Sequence, residues 1–196
     1  MIKIESIKID NFNDLKFEIF NNYKTLSNVV DMNTGPNRIR IFNLLNVDSK
    51  LNNFENFKKY LTNVFNVTQL QIVIYSPFSG TGFHVDGTKN RYILPIVSDE
   101  GAINLEMDLK LANHNKIQDY SEKIVRPNTI CETMDDITHF KENLNNWFFS
   151  DSKENKIYSI SEGECWNIGE NPHSHSNISF NHRIIIVFDT LEPIEN

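Results

Sequence analysis

The sequence predicts a mainly β protein of jelly-roll type with helices packed outside the sheets, and three observations lead to this fold class. Short segments with alternating or continuous apolar residues recur along the chain. Only two or three segments place apolar residues at helical spacing. The 196 residues show no internal repeat and are enough for one full hydrophobic core. Together these features favour a single domain, 1–196, built on two packed sheets.

The first 66 residues are predicted to form strands and helices that precede the jelly roll. The predicted elements are a strand at 2–9, a helix at 13–23, a turn-rich break at 31–37, a strand at 38–46 and a helix at 52–65. In the second helix Phe54, Phe57 and Leu61 fall on one face, which is typical of core contacts rather than of a recognition surface.

The jelly-roll core is predicted at 69–110 and 156–190. Its strands are expected at 70–75, 91–97, 103–111, 156–160, 164–168 and 184–188. Pro95 indicates an edge position or a bulge, and Gly80 and Gly82 suit a close approach of the backbone to a site. The polar segment 111–155 is interpreted as an insertion, a possible lid, with one helical candidate at 134–149.

Charge and composition exclude several classes of partner. The formal net charge of -7 and the absence of a basic run argue against nucleic acid and anionic membranes. No apolar stretch has the length of a membrane span, and the first residues lack the pattern of a signal peptide. Cys131 and Cys165 form no CxxC motif. We therefore expect a cytoplasmic protein that acts on a small molecule or a peptide.

Two histidines and one aspartate form a candidate metal-binding set. In GFHVDG, His84 and Asp86 lie two positions apart, so on an extended backbone both side chains leave the same face. His173 would complete a set of two histidines and one carboxylate, with His175 on the same strand face as its rival. Such a set leaves three adjacent positions open on an octahedral ion. Alternatively, Asp86 could merely orient His84 in a surface turn.

Arg183 opens the apolar run Ile184 to Phe188, which is typical of a strand covered on both faces. A buried arginine needs an anionic partner. A hairpin is predicted between His173 and Arg183, so that their strands lie side by side and Arg183 can hold the far carboxylate of a metal-bound 2-oxo acid. The alternative is a structural ion pair with Asp189.

At these residues the chain resembles the Fe(II)/2-oxoglutarate-dependent oxygenases, and among them the aspartyl/asparaginyl β-hydroxylase branch, which includes relatives that hydroxylate free proline. GFHVDGTKNRYILPI resembles a first block with His-x-Asp, an arginine and an aliphatic strand. GECWNIGENPHSHSN and the following RIIIVFD resemble a second block, in which Pro-His precedes an asparagine by four residues and an arginine by ten. The resemblance runs from about Gln69 to Asp189 without 110–155, and Ile93 replaces a frequent histidine.

The resemblance implies a double-stranded β-helix of the cupin-like kind and a set of roles. His84, Asp86 and His173 would bind Fe(II), and Arg183, Arg91 and Asn177 would contact the cosubstrate 2-oxoglutarate. For Arg91 the alternatives are a contact with the substrate and a surface salt bridge. With O₂, the enzyme would hydroxylate an unactivated C–H bond of an amino acid, free or in a peptide, and release succinate and CO₂. The alternatives are a divalent-metal cupin enzyme that does not use 2-oxoglutarate and a non-catalytic jelly-roll module that binds a small ligand.

Overall fold

The structure is a computed structural model of the chain and describes residues 1–26, 32–35, 38–81, 83–108, 110 and 152–195, with a few isolated positions between 115 and 142. The predicted insertion 111–155 and its helix at 134–149 lie almost entirely outside the described residues. The candidate site residues all lie within them.

Apart from the isolated positions between 115 and 142, the described residues form two α-helices and eleven β-strands. The helices are α1 (Phe12–Leu26) and α2 (Asn52–Phe65), separated by one short 3-10 turn at Leu44–Asn46. The strands are β1 (Ile2–Ile4), β2 (Met32–Gly35), β3 (Arg38–Ile41), β4 (Val67–Tyr75), β5 (Ser79–Gly80), β6 (Arg91–Val97), β7 (Ala102–Glu106), β8 (Lys156–Tyr158), β9 (Cys165–Asn167), β10 (His173–Asn177) and β11 (Arg183–Thr190). Neither helix is long and apolar enough to cross a membrane.

The strands form two antiparallel sheets. The larger has the order β1-β9-β6-β11-β4-β3-β2 and the smaller the order β5-β10-β7-β8. From β4 onward the chain passes back and forth between them, so that β4, β6, β9 and β11 belong to one sheet and β5, β7, β8 and β10 to the other. This alternation is the winding of a double-stranded β-helix, or jelly roll, and it confirms the predicted fold class.

Both helices cover the outer face of the larger sheet. They contribute Leu15, Ile19, Phe54 and Leu61 to an apolar cluster that includes the outward side chains of β4, β6 and β11. A second, smaller cluster lies on the inner face, between the two sheets. Because β11 is buried on both faces, its apolar run shows no alternation of apolar and polar residues, as predicted.

One local prediction was wrong, and another holds in only one of its two forms. The break expected at 31–37 contains β2, which pairs with β3 from Met32 opposite Ile41 to Gly35 opposite Arg38. Pro95 is not on an edge strand, because β6 lies between β9 and β11. The alternative prediction of a bulge holds: the register of β6 and β11 shifts beside Pro95, between Ile184 and Ile185.

The predicted hairpin between His173 and Arg183 was also wrong. The strands that carry them, β10 and β11, belong to different sheets. The short connection between these strands takes the chain from the smaller sheet to the larger one. The two residues therefore reach the same interior from facing sheets and are not neighbours within one sheet.

Candidate functional site

Strand β10 places His173 directly opposite His84. The two residues exchange both backbone hydrogen bonds, His84 N–H to His173 O at 3.0 Å and His173 N–H to His84 O at 2.9 Å. Residues paired in this way project their side chains from the same face. The two imidazole rings accordingly lie 4.6 Å apart between their centroids.

Gly80 allows the segment that leads to His84 to approach β10 closely. Gly80 lies opposite Ser176, and a Cβ atom at position 80 would come within 2.6 Å of the His175 carbonyl oxygen. Any side chain there would push the segment away from β10. The predicted role of Gly80 in a close backbone approach is confirmed, whereas Gly82 lies outside the described residues.

Asp86 completes a compact group with the two histidines. One potential ligand atom from each of His84, Asp86 and His173 lies within 4.8 Å of the other two. The carboxylate oxygen Oδ2 of Asp86 is 3.2 Å from His173 Nε2, and Oδ1 is 3.9 Å from His84 Nε2. The structure thus brings together the three residues that the sequence predicted.

The two closest ligand atoms of this group are buried and, within the described part of the chain, have no hydrogen-bond partner: Asp86 Oδ2 and His173 Nε2. Their 3.2 Å separation matches adjacent ligands of an octahedral ion, which lie about 3 Å apart when the bonds are about 2.1 Å long. The donor set therefore fits a divalent metal ion.

A backbone contact fixes the His173 ring for this role. His173 Nδ1 lies 2.9 Å from the carbonyl oxygen of Asn171. A carbonyl oxygen only accepts hydrogen bonds, so Nδ1 carries a proton, and in the neutral ring the lone pair of Nε2 is available to a metal ion. Outer contacts of this kind orient metal-binding histidines in proteins.

The carboxylate of Asp86 is held from behind by Arg91. Arg91 donates from Nη1 to Asp86 Oδ1 and from Nε and Nη2 to the two oxygens of Asp189, at 2.7 and 2.8 Å. Burial alone would raise the pKa of Asp86, but the close contact with His173 and the charge of Arg91 outweigh burial, so that this pKa lies below its ordinary value. Arg91 thus has two carboxylate partners, and Asp189 pairs with it rather than with Arg183.

His175 lies behind the group and has a different partner. Its Nδ1 donates to Asn104 Oδ1 at 3.0 Å, and its ring is 5.3 Å from that of His173. Burial, followed by the charges of its neighbours, lowers the pKa of His175 well below its ordinary value, so the ring is neutral at pH 7. Of the two histidines on β10, His173 is the one that faces Asp86.

Arg183 is almost fully buried, with 1% of its surface exposed. It donates to Asn104 Oδ1 at 2.6 Å and to the Ser176 carbonyl at 3.2 Å, and its guanidinium carbon lies 5.8 Å from the centre of the Tyr75 ring. In the described part of the chain no carboxylate lies within 4 Å of it, and its Nε has no partner. Burial lowers the pKa of Arg183 to about 10, so it remains charged at pH 7 but has only neutral acceptors.

Asn177 is buried at the end of β10, where its side chain donates to backbone carbonyls. The acceptors include Ser76 at 3.0 Å and Asn181 at 2.8 Å. These bonds fasten the start of the connection from β10 to β11 and hence the approach to Arg183. Direct contact of Asn177 or Arg91 with a cosubstrate stays a prediction.

A cavity between the sheets joins the metal-binding group to residues that the sequence analysis did not single out. His84, Asp86, Arg91 and His175 line it, together with Arg38, Arg40, Gln71, Val73, Tyr75, Thr81, Ile93, Ile168, Ile185 and Val187. Asn104 could not be identified from the sequence, because an asparagine inside an ordinary strand pattern does not indicate a site. Arg38 and Arg40 could have been identified, because in RIRI two charged residues alternate with isoleucines on a strand.

No protein-family model matches the sequence, and no curated protein matches it. Among solved structures, a cupin domain from Bordetella pertussis Tohama I is 10% identical over 82% of this chain and 99% of that domain, with a TM-score of 0.38. HygX from Streptomyces hygroscopicus, solved with nickel and 2-oxoglutarate, is 11% identical over 88% of this chain and 77% of its own, with a TM-score of 0.46. The non-heme alpha-ketoglutarate-dependent epimerase SnoN from nogalamycin biosynthesis is 11% identical over 93% of this chain and 74% of its own, with a TM-score of 0.48. The fold and site assignments therefore rest on the strand order and side-chain geometry of this chain.

Proposed function

We propose that this protein is an Fe(II)/2-oxoglutarate-dependent dioxygenase of the aspartyl/asparaginyl β-hydroxylase-like branch. It hydroxylates an unactivated C–H bond of an amino acid, free or in a peptide, and releases succinate and CO₂. The observation that carries the proposal is the group of His84, Asp86 and His173, in which two buried ligand atoms face each other without a hydrogen-bond partner among the described residues. Two imidazoles and one carboxylate are a ligand set of non-haem Fe(II) oxygenases.

In this proposal the protein holds iron on one side only. His84 and Asp86 lie on one short segment that is bridged to β10 at His173, so the three residues would hold the ion from one side, next to the cavity that His84 and Asp86 line. Bound iron would supply the oxidation chemistry that couples 2-oxoglutarate and O₂ to hydroxylation. The contribution of Arg91 is to hold Asp86 in place through the Asp189 pair.

The buried charge of Arg183 supports a dianionic cosubstrate. A guanidinium group buried among neutral acceptors is costly unless a ligand supplies an anion. The distal carboxylate of 2-oxoglutarate is such an anion, and a planar guanidinium can bind it with two parallel hydrogen bonds. Nε of Arg183, which has no partner among the described residues, is one donor that remains for it.

Metal binding and cosubstrate turnover test the proposal together. We expect the purified protein to bind Fe(II) and to form succinate from 2-oxoglutarate in the presence of ascorbate and candidate amino acids. His173→Ala should weaken metal binding by at least about a hundredfold, because it removes a direct ligand, and should abolish succinate formation. His182→Ala is the matched control, because His182 is exposed outside the strands and its loss should change neither quantity.

Two results would contradict the proposal. Metal binding that survives His173→Ala but is lost in His175→Ala would show that the ligand set is wrong. Metal binding without succinate above the level of the His173→Ala variant, tested with and without candidate substrates, would exclude the oxygenase reaction. That second result would favour a cupin enzyme that does not use 2-oxoglutarate. Small-molecule binding that persists after the metal is removed would favour the non-catalytic module.

A further inference from the structure

Strand β3 brings two arginines to the wall of the cavity. Arg38 and Arg40 alternate with Ile39 and Ile41, and β3 pairs with β4 so that Arg38 lies opposite Tyr75 and Arg40 opposite Val73. Residues opposite each other in antiparallel strands point to the same face. Arg38 and Arg40 therefore share the inner face with Tyr75 and Val73, whereas Ile41 joins the apolar cluster under the helices.

These two arginines have no carboxylate partner within the described part of the chain. No described carboxylate lies within 4 Å of either guanidinium group, whereas Arg91 on the same face has two, Asp86 and Asp189. Nε of Arg40 is buried and has no hydrogen-bond partner among the described residues. Burial, and then the charge of Arg38, lower the pKa of Arg40. The Phe42 ring, 5.1 Å from the guanidinium carbon of Arg40, carries no negative charge, so an anion would stabilise these two like charges in the partly buried wall.

The proposed cosubstrate does not supply that anion. Among the described residues, four guanidinium groups (Arg38, Arg40, Arg91 and Arg183) and two carboxylates (Asp86 and Asp189) lie on or beside the cavity, which is four positive against two negative charges. The buried carboxylate of Glu106 adds nothing to this balance, because it pairs with the Met1 amino group. A divalent metal and a dianionic 2-oxoglutarate would cancel each other. The excess of two positive charges therefore remains when both are bound, and it lies on β3, two strands away from β11, which carries Arg183.

We propose that Arg38 and Arg40 bind an oxyanion of the substrate, a carboxylate or a phosphate group, so that the substrate is a small acid. This inference rests on the proposed function, because it assigns the substrate of that same site. Bidentate hydrogen bonds from arginine suit either oxyanion.

Gln71, in the same cavity wall, sharpens this assignment. Its side-chain oxygen is buried and has no partner among the described residues, so it can accept a hydrogen bond from an N–H group. A free amino acid offers both a carboxylate and N–H donors. An interior residue of a peptide has no carboxylate unless its side chain is acidic.

Titration calorimetry with small anions tests the inference. The protein is saturated with Zn(II), which does not turn over, and with 2-oxoglutarate, and is then titrated with acetate, inorganic phosphate or acetamide. We expect one of the two anions to bind and neutral acetamide not to bind. The double substitution Arg38→Gln with Arg40→Gln should lower the affinity for the anion by at least about tenfold. The affinity for 2-oxoglutarate should stay within about twofold of the wild-type value. The anion that binds more tightly indicates whether the acidic group of the substrate is a carboxylate or a phosphate.

Two controls separate this inference from the proposed function. Lys59→Gln removes an exposed positive charge on α2 and should leave anion binding unchanged. Arg40→Lys keeps the positive charge at position 40 and should retain part of the anion affinity. Anion binding that is equal in the double variant and the wild type would overturn the inference. A loss of 2-oxoglutarate affinity in the double variant as large as the loss of anion affinity would also overturn it, because β3 would then bind the cosubstrate. Arginine-dependent anion binding in a protein that binds no 2-oxoglutarate would support the anion site and contradict the proposed function.

Discussion

The two faces of the larger sheet are both buried, yet they bury different chemistry. On β11, Ile184, Ile186 and Phe188 point towards the helices and belong to a wholly apolar cluster. The alternate residues of the same strand point towards the smaller sheet, where Ile185 and Val187 stand between the charged Arg183 and Asp189. Burial alone therefore does not distinguish the structural face from the functional face. The inner face is distinguished by its polar groups and its cavity.

Adjacent isoleucines on β11 allow the most direct test of this difference. Ile186 packs on the outer face and Ile185 lines the cavity on the inner face. We expect Ile186→Ala to lower the free energy of unfolding by about 4 kcal/mol, because it leaves a void in a closely packed core, and Ile185→Ala to lower it by about 2 kcal/mol, because water can enter the cavity. Denaturant unfolding of both variants measures this.

Ligand binding should show the opposite order. Ile185→Ala removes apolar surface next to the proposed cosubstrate position and should lower the affinity for 2-oxoglutarate by about fivefold. Ile186→Ala should leave the affinity of the folded protein unchanged. Equal stability losses together with equal affinity losses would mean that the two faces of β11 are not specialised.

The fold class could be predicted because it depends on local patterns. The unbroken apolar run at 184–188 indicates a strand covered on both faces, and the helical spacing of Phe54, Phe57 and Leu61 indicates a helix with one buried face. Which sheet a strand joins depends on distant partners. The hairpin predicted between His173 and Arg183 was therefore wrong, because strands close in sequence can pass to different sheets in a jelly roll.

In the candidate site, too, some residues could be predicted from local sequence patterns and others could not. His84, Asp86 and His173 could be predicted to lie together because their spacing matches two recognisable sequence blocks. The alternative of an Arg183–Asp189 ion pair does not hold, because Asp189 pairs with Arg91. The sequence could not reveal this pair, since it depends on the register of β6 against β11, where Arg91 lies opposite Asp189. Asn104, which bridges His175 and Arg183, lies on β7 and gives no signal in the sequence.

The second prediction concerns the charges of the inner face. Asp189→Asn removes the carboxylate that holds Arg91, so the whole charge of Arg91 would act on Asp86 and reduce its strength as a metal ligand. We expect metal affinity to fall by about tenfold to a hundredfold, as for other outer contacts of metal ligands. Competition with a chelator of known affinity measures this loss.

A nearby acidic residue provides the control for Asp189→Asn. Glu192 is exposed, so Glu192→Gln removes a negative charge near the end of β11 without breaking the Arg91 pair. Metal affinity should be unchanged in this variant. If both variants weakened metal binding equally, the effect would come from net charge and the Arg91 bridge would have no orienting role.

The smallest expected effect lies on the helical side, where charges serve stability alone. Glu55 on α2 accepts hydrogen bonds from Lys58 and from the backbone and hydroxyl of Ser49. Burial would raise the pKa of Glu55, but these hydrogen bonds outweigh it and this pKa lies below its ordinary value. The stabilisation is therefore complete above the unfolded-state pKa and is lost as pH falls through the lower folded-state pKa.

We accordingly expect Glu55→Gln to lower the free energy of unfolding by about 1 kcal/mol at pH 7, with the difference from wild type vanishing at acidic pH. Urea unfolding across this pH range measures it, and exposed Glu100 provides the control substitution Glu100→Gln. Metal and 2-oxoglutarate affinities should not change, because Glu55 lies on the far side of the larger sheet from the cavity. A change in either affinity would show that the helical layer is coupled to the site and that the two faces of the sheet are not independent.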